Sequence, residues 1–283
     1  MKSLAFDIGG TWLRWSVPED SEAGGKVARE TVELLPFLER LIREEGAKSV
    51  GISFAGQVSG GVVVASPNVE IPEINIRKYL HERTGALVAI ENDLNCAALA
   101  EAEAWKTKNL VALYSGTGLG SGIVESGRIC RGSRGMAGEI GHIPYREAPF
   151  ACGCGKRNCV ELYASGSGLR KWKEHLGCDA SLGLAKLRDV SDPSCAAIAR
   201  HYLEGLLTAA GTMVSLCNPE LLVLGGGVIR ANPWIVEKLR TGIGTYGLPV
   251  ACRDLRIEES RLENASLRGA ELLALTVDPK MIE

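Results

Sequence analysis

The chain has 283 residues, 46% hydrophobic and 23% charged, with a net charge of −2. At nearly twice the usual domain of about 150 residues it is expected to form two domains, and its balanced charge offers no electrostatic footprint for nucleic acid. No apolar run approaches the roughly 18 residues that span a bilayer, and the opening MKSLAFDIGG enters a strand rather than a signal-peptide hydrophobic region, so nucleic acid and membrane are excluded as expected partners and a cytoplasmic location is expected.

Segment 3–17, SLAFDIGGTWLRWSV, reads as a strand, a glycine turn at Gly9, Gly10 and Thr11, and a returning strand. A helical stretch ends near Gly46, the run KSVGISFAG is a strand, and a short hairpin surrounds Gly60 and Gly61. A helix over about 74–83 leads to the strand ALVAIEND and the helix LNCAALAEAEAWK, within which the lobe boundary is expected. Segment 110–124, LVALYSGTGLGSGIV, repeats the opening pattern with its turn at Gly116, Thr117 and Gly118, which implies a duplicated domain. After a glycine-rich segment at 138–161 come a helix over about 193–216, the strand ELLVLGGG, a helix at Pro233 and a closing helical pattern over 264–275. No linker rich in Pro, Gly and Ser separates the halves. The expected lobes are 1–108, joined by a C-terminal helix over 264–283, and 109–263.

Consecutive backbone amides at each glycine tip form a nest that suits phosphate oxygens, because only a backbone without Cβ lets a phosphate approach closely. A tight turn without ligand explains either tip taken singly. Two together suggest a polyphosphate, held without a GxxxxGK loop followed by Ser or Thr and without a GxGxxG opening a helix. Asp7 ends the first strand, where an oxygen ligand for magnesium would stand. Glu91, Asn92 and Asp93 lie where a strand meets a helix. Asp93 is either a helix cap or, kept ionised near the helix N-terminus, a general base for a hydroxyl attacking the γ-phosphate of ATP, with Asn92 orienting that substrate. Glycines 225 to 227 follow a strand and precede a helix, the place where α/β proteins bind ligands; a nucleoside fits there, although a sharp turn alone explains one or two of them.

Segment 138–161, GEIGHIPYREAPFACGCGKRNCVE, holds the densest set of metal-binding groups. His142, Cys152, Cys154 and Cys159 supply one imidazole and three thiols, the complement of a closed tetrahedral zinc site. Soft thiolates favour zinc over magnesium or calcium, and an iron–sulfur cluster would normally take a fourth cysteine. The alternative is a disulfide-capable loop beside an unrelated histidine. The other six cysteines, Cys96, Cys130, Cys178, Cys195, Cys217 and Cys252, are expected to be reduced and often buried thiols.

Taken together, DIGGT at 7–11, END at 91–93, SGTGLGSG at 115–122, GEIGH followed by CGCGKRNCVE, and LGGG at 224–227 resemble the ROK family of sugar kinases and repressors over nearly the whole chain. The resemblance implies an α/β, two-lobed actin-like, hexokinase-type ATPase fold of duplicated ribonuclease H-like domains with a zinc-binding loop. It implies ATP with magnesium, a structural zinc, and a small-molecule sugar as substrate. Asp93 would be the base, and Gly56, Asn68, Asn92, Glu139, His142 and Glu161 would join it in binding the sugar; ionised acceptors make the stronger hydrogen bonds to hydroxyls. Asp7, Gly9, Gly10, Thr11, Gly116, Thr117, Gly118, Gly226 and Gly227 would face the nucleotide. Zinc would orient the histidine rather than react.

The chain departs from the family pattern in places. Ala55-Gly56 replaces a Pro-Gly pair, a Trp expected after 66–69 gives way to Ile71, Pro72 and Glu73, and Asn158 stands at a glycine position of the zinc loop, where it would tolerate the left-handed conformation. Repressors of the family carry an additional N-terminal DNA-reading domain. The first phosphate motif here begins within ten residues of the start, so a kinase is expected ahead of a transcription regulator or a noncatalytic sugar sensor. Phosphorylation of glucose at its 6-hydroxyl is the first expectation, with N-acetylmannosamine or N-acetylglucosamine kinase as the alternative. Dimers are common among similar proteins, so a homodimer is the expected assembly.

Overall fold

The computed structural model describes residues 2–66 and 74–277. The chain folds as two compact units: Met1–Lys106 with Arg128–Ala137 and Leu262–Glu283, and Thr107–Gly127 with Gly138–Arg261.

The first unit is built on β1 (Ser3–Ile8), β2 (Trp12–Val17), β3 (Asp20–Ala28), β4 (Ser49–Phe54), the small hairpin β5 (Gln57–Ser59) and β6 (Val62–Ala65), and β7 (Leu87–Asn92). The main sheet runs β3-β2-β1-β4-β7, antiparallel through its first three strands and parallel from β1 to β7. All six residues of β1 and of β4 are buried, as expected of parallel strands covered on both faces. On one face Leu4, Phe6, Ile8, Val50 and Ile52 meet Leu34, Phe37, Leu38, Leu41 and Ile42 of the helix Leu34–Glu45, whose apolar residues recur at helical spacing. The opposite face carries Ala5, Asp7, Gly51, Ser53 and Glu91. Small side chains there let the helix Ala265–Thr276 approach the sheet so closely that a Cβ on Gly51 would strike the Ala270 carbonyl. The same helix crosses the helix Asp93–Trp105 where Gly269 lies against the Cys96 backbone. Strand β3 was not foreseen: DSEAGGKVA lacks apolar alternation, and only edge pairing with β2 makes it a strand.

In the second unit β8 (Leu110–Ser115) and β9 (Leu119–Glu125) form a hairpin, followed by β10 (Arg128–Ile129), whose residues count with the first unit; β11 (Leu221–Gly225) and β12 (Arg256–Glu259) complete the strands. The order β9-β8-β11-β12, with β8 antiparallel to β9 and parallel to β11, repeats β2-β1-β4-β7. This recurrence is the duplicated α/β, ribonuclease H-like architecture. Val111, Leu113, Leu222 and Leu224 join a core with the helices Pro193–Cys217 and Trp234–Tyr246. Asp192 caps the long helix by accepting from the Ser194 amide, and Asn218 ends it with φ +43°. The helix Gly166–Leu176, capped by Ser165, was not foreseen, because Gly-Ser-Gly at its start reads as a turn.

Cys178 and Cys195 form a disulfide, which corrects the expectation of reduced thiols at these positions. Leu184 and Leu187 between them are buried in the core, and the fold-back this imposes brings the two Cα atoms to 5.9 Å. Cys96, Cys130, Cys217 and Cys252 remain reduced, outside any disulfide. Among the described residues no helix is long and apolar enough to cross a membrane.

Candidate active site and metal centre

In the first unit the strand register sets Asp7 of β1, Ser53 of β4 and Glu91 of β7 in one row at the carboxyl ends of parallel strands. Asp7 Oδ1 accepts from Ser53 Oγ at 3.0 Å and Oδ2 from Arg14 Nη1 at 3.1 Å. Burial raises the Asp7 pKa above its ordinary value, against the lowering effect of Ser53 and Arg14. The Gly9 amide donates to the Trp12 carbonyl at 2.9 Å and so closes the turn, which leaves Gly10 and Thr11 exposed at the tip.

Buried Glu91 accepts from the Asn92 amide and from Asn95 Nδ2, each at 3.0 Å, and pairs with Arg131. The helix cap is Asn92, not Asp93: Asn92 Oδ1 accepts from the Leu94 and Asn95 amides at 2.9 and 3.1 Å. Asn92 Nδ2 reaches the Gly56 carbonyl and Asp93 Oδ1, both at 3.0 Å. A side chain at position 56 would meet the Ala65 carbonyl, so only glycine presents its carbonyl in this way. Asp93 is the first helical residue, and both of its hydrogen bonds, from Asn92 and from the Leu94 amide, fall on Oδ1. The helix start, expected to keep it ionised, does not hold it in the ordinary carboxylate range. Desolvation, followed by the charge of Asp7, raises its pKa from 3.8 to about 7.

In the second unit the ligand atoms of His142, Cys152, Cys154 and Cys159 all lie within 4.8 Å of one another. The Cys154 and Cys159 sulfurs are 3.4 Å apart, and Cys152 Sγ is 3.6 Å from His142 Nδ1. Zn–S bonds of about 2.3 Å arranged as a tetrahedron need edges of about 3.8 Å, so the donor set fits zinc in kind and in spacing. Backbone pairing of Tyr145 with Asn158 and of Val160 with Ile143 holds the loop as a hairpin, and the Gly155 amide donates to the Cys152 carbonyl in a turn with φ +88°. Asn158 has no need of the left-handed conformation it would tolerate; its carbonyl takes part in that pairing.

His142 Nε2 points away from the sulfurs, 3.8 Å from Glu139 Oε2. Glu161 Oε2 accepts from the Leu119 amide at 3.0 Å and Oε1 from the Cys152 thiol at 3.3 Å. Burial and then the Glu161 carboxylate push the Cys152 thiol up to about 12. For Cys154 desolvation is outweighed by the Lys156 amide and by its cysteine neighbours, and the pKa falls. Glu161 also fixes the second glycine turn, since a Cβ on Gly118 would press on its carboxylate. There the Gly116 amide donates to the Gly118 carbonyl, and Thr117 is exposed. The N-terminus of the helix Gly166–Leu176 grips this turn: the Gly166 and Ser167 amides donate to the carbonyls of Gly116 and Thr117 at 2.8 and 3.0 Å. Gly226, with φ +90°, packs on the Ser115 backbone, and Gly227 opens a short helix beside Gly116.

Sequence reasoning therefore named two groups that the structure assembles, one in each unit, while Asn68 lies outside the described residues. It missed Arg14, Ser53 and Arg131, and in the second unit Tyr202, while Ser115 was named only as the start of a motif. The register of the first hairpin places Arg14 opposite Asp7 and was the one signal available; Arg131 arrives from a loop.

Among known proteins, a glucokinase of Halalkalibacterium halodurans is 30% identical, over 87% of this chain and 86% of its own length. An N-acetyl-D-glucosamine kinase of Escherichia coli O6:H1 is 30% identical over 96% of this chain and 98% of its own. The crystal structure of a ROK family glucokinase from Streptomyces griseus, in complex with glucose and AMPPNP, superposes with a TM-score of 0.74 at 25% identity, covering 97% of this chain and 99% of that one. Residues 4–277 match the ROK family model, and the chain belongs to that family.

Proposed function

We propose that the protein is an ATP-dependent sugar kinase acting on a hexose hydroxyl, glucose at its 6-hydroxyl first, with N-acetylglucosamine or N-acetylmannosamine as the alternative acceptor. The observation that carries this reading is Asp93, a carboxyl raised to about 7 at the end of a parallel strand. A base whose pKa lies near the working pH combines a useful ionised fraction with strength enough to take a hydroxyl proton. The sugar oxygen would bond to the γ-phosphorus as the bond to the β–γ bridging oxygen breaks, ADP would leave, and Asp93 would receive the proton on Oδ2. Asn92, tied to Gly56 and Asp93, would hold the base in position.

Asp7 would hold magnesium through water, because each of its oxygens already accepts one hydrogen bond and a carboxylate has lone pairs to spare. When bound, the ion neutralises charge on the phosphoryl oxygens. The turns with Gly9, Gly10 and Thr11 and with Gly116, Thr117 and Gly118, together with Gly226 and Gly227, are assigned to the nucleotide; the AMPPNP in the Streptomyces structure supports ATP as the phosphoryl donor. Gly56, Asn68 and Asn92, and Glu139, His142 and Glu161, are assigned to the sugar. Zinc on His142, Cys152, Cys154 and Cys159 would be structural, fixing the imidazole so that Nε2 stays turned to Glu139. A cytoplasmic homodimer belongs to the same reading.

The relatives named glucokinase and N-acetyl-D-glucosamine kinase support sugar phosphorylation and divide over the acceptor. A coupled assay of ADP release with glucose, mannose, fructose, N-acetylglucosamine and N-acetylmannosamine tests it. Turnover with glucose above the others is expected. Sugar binding without turnover on any of them would instead favour a sensor or transcription regulator.

A further inference from the structure

The Cys178–Cys195 disulfide joins two helices that converge on the second glycine turn. Upstream of Cys178, the helix Gly166–Leu176 grips the carbonyls of Gly116 and Thr117 with its first amides. Its far end runs straight into the bridged loop: the Cys178 amide donates to the Lys173 carbonyl at 2.9 Å, and Lys173 Nζ donates to the carbonyls of Ala180 and Leu182 at 2.6 and 3.1 Å. Cys195 stands in the first turn of the helix Pro193–Cys217. Two turns further on, the fully buried Tyr202 donates its hydroxyl to Ser115 Oγ at 2.8 Å, and Ser115 Oγ donates to the Ala164 carbonyl at 2.8 Å. Ser115 is the residue that enters the glycine turn. The turn is thus held by two helices that one covalent bond links, through the loop just after the first and two turns before Tyr202 in the second.

Cys195 is buried and Cys178 half-buried, so an external thiol or disulfide has access at Cys178. The redox reading rests on the cytoplasmic location of the proposed function, because in reducing compartments the disulfides that do form are usually transient and redox-sensing.

We propose that Cys178 and Cys195 are a reversible thiol–disulfide exchange site for low-molecular-weight disulfides, and that the bridged form stiffens the 116–118 turn and tightens nucleotide binding. The second half rests on the assignment of that turn to the nucleotide. The Cys178 thiolate attacks one sulfur of the small disulfide and expels the other as a thiolate, leaving a mixed disulfide on Cys178. The Cys195 thiolate then attacks the Cys178 sulfur and expels the second small thiolate. The two cysteines lose two electrons and two protons, and the small disulfide gains both to become two thiols. An excess of reduced thiol reverses the sequence.

The test uses the full chain with zinc present, equilibrated with oxidised or reduced glutathione, alongside Cys178→Ser, which breaks the bridge at its more exposed end. Alkylation with mass mapping should find 178 and 195 linked in the oxidised protein and both labelled in the reduced one. Amide exchange over 164–169 should speed up by about five-fold on reduction, the ATP KM should rise by a similar factor, and the sugar KM should hold. Cys178→Ser should match the reduced protein and ignore glutathione. Labelling of both cysteines after oxidation would refute the site. A bridge that forms with unchanged exchange over 164–169 and unchanged ATP KM would refute its hold on the turn. Absence of ATP turnover in every state would count against the nucleotide reading alone, and the labelling and exchange results would still decide the disulfide.

Discussion

Replacing Asp93 with Asn separates a catalytic carboxyl from a structural one, because the two roles predict opposite signs. The folded pKa is about 7 against an ordinary value of 3.8. With the folded value raised, the contribution of this group to stability is fully present below the unfolded pKa and is lost as pH rises through the folded one. The full shift corresponds to a ceiling of about 4 kcal/mol, and solvent access to the half-buried side chain reduces that to about 1–2 kcal/mol. Asp93→Asn carries no charge to desolvate. Its stability relative to the natural protein should grow from near zero at pH 4 to about 1–2 kcal/mol at pH 8, or some 3 °C or more in Tm. Turnover, by contrast, should fall by about 10²- to 10⁴-fold.

In the natural protein kcat/KM should rise about tenfold per pH unit below 7 and level off above it, because only the ionised carboxylate can take a proton. Thermal unfolding of both proteins at several pH values, with ADP release from pH 5.5 to 9, measures all of this. A stability difference that stays constant with pH, or a rate profile flat between pH 6 and 8, would refute the reasoning.

Two other substitutions probe the supports of the site. Cys154→Ser removes one of the four proposed zinc ligands; bound zinc measured by metal analysis should drop and the sugar KM should rise more than the ATP KM, since His142 is in the donor set and Glu161 follows Val160, which pairs with Ile143 in the loop. Gly51→Val forces a side chain into the Ala270 carbonyl and should lower stability by about 2 kcal/mol or more in urea unfolding, as overpacking does; an unchanged midpoint would show that the helix Ala265–Thr276 can lift off the sheet at no cost.

The elements legible in the sequence were those whose local pattern and tertiary environment agree. The buried runs of β1, β4, β8 and β11 and the apolar spacing of the helix Leu34–Glu45 announce themselves. So does the cysteine-rich loop, because its ligands are close in sequence as well as in space. Strand β3 and the helix Gly166–Leu176 were illegible because their residues favour turns and only a neighbour recruits them. The disulfide was illegible for a related reason: nothing local to Cys178 says that Leu184 and Leu187 will bury themselves and fold the loop back. At Asp93 the strand-to-helix junction was legible but the raised pKa was not. The helix start was visible, whereas the desolvation that outweighs it comes from residues far away in the chain.

The duplication offers a physical account of why base chemistry is proposed for the first unit. Equivalent strands place Asp7, Ser53 and Glu91 across one sheet, and Tyr114, Gly225 and, just past β12, Ser260 across the other. In the second row the Tyr114 ring lies over Gly225, where a Cβ would strike it, and its hydroxyl reaches Ser260 Oγ at 3.3 Å. That row is neutral, which suits a neighbourhood of glycine turns assigned to phosphates. The first unit has three carboxyls at its strand ends, and two have cations: Arg14 for Asp7 and Arg131 for Glu91. Among the described residues Asp93 has no cation, and the charge of Asp7 adds to its desolvation. Pairing two of the three carboxyls with arginines leaves Asp93 as the one whose pKa burial and the charge of Asp7 raise to about 7, and a carboxyl that readily holds a proton is also one that can take it from a hydroxyl.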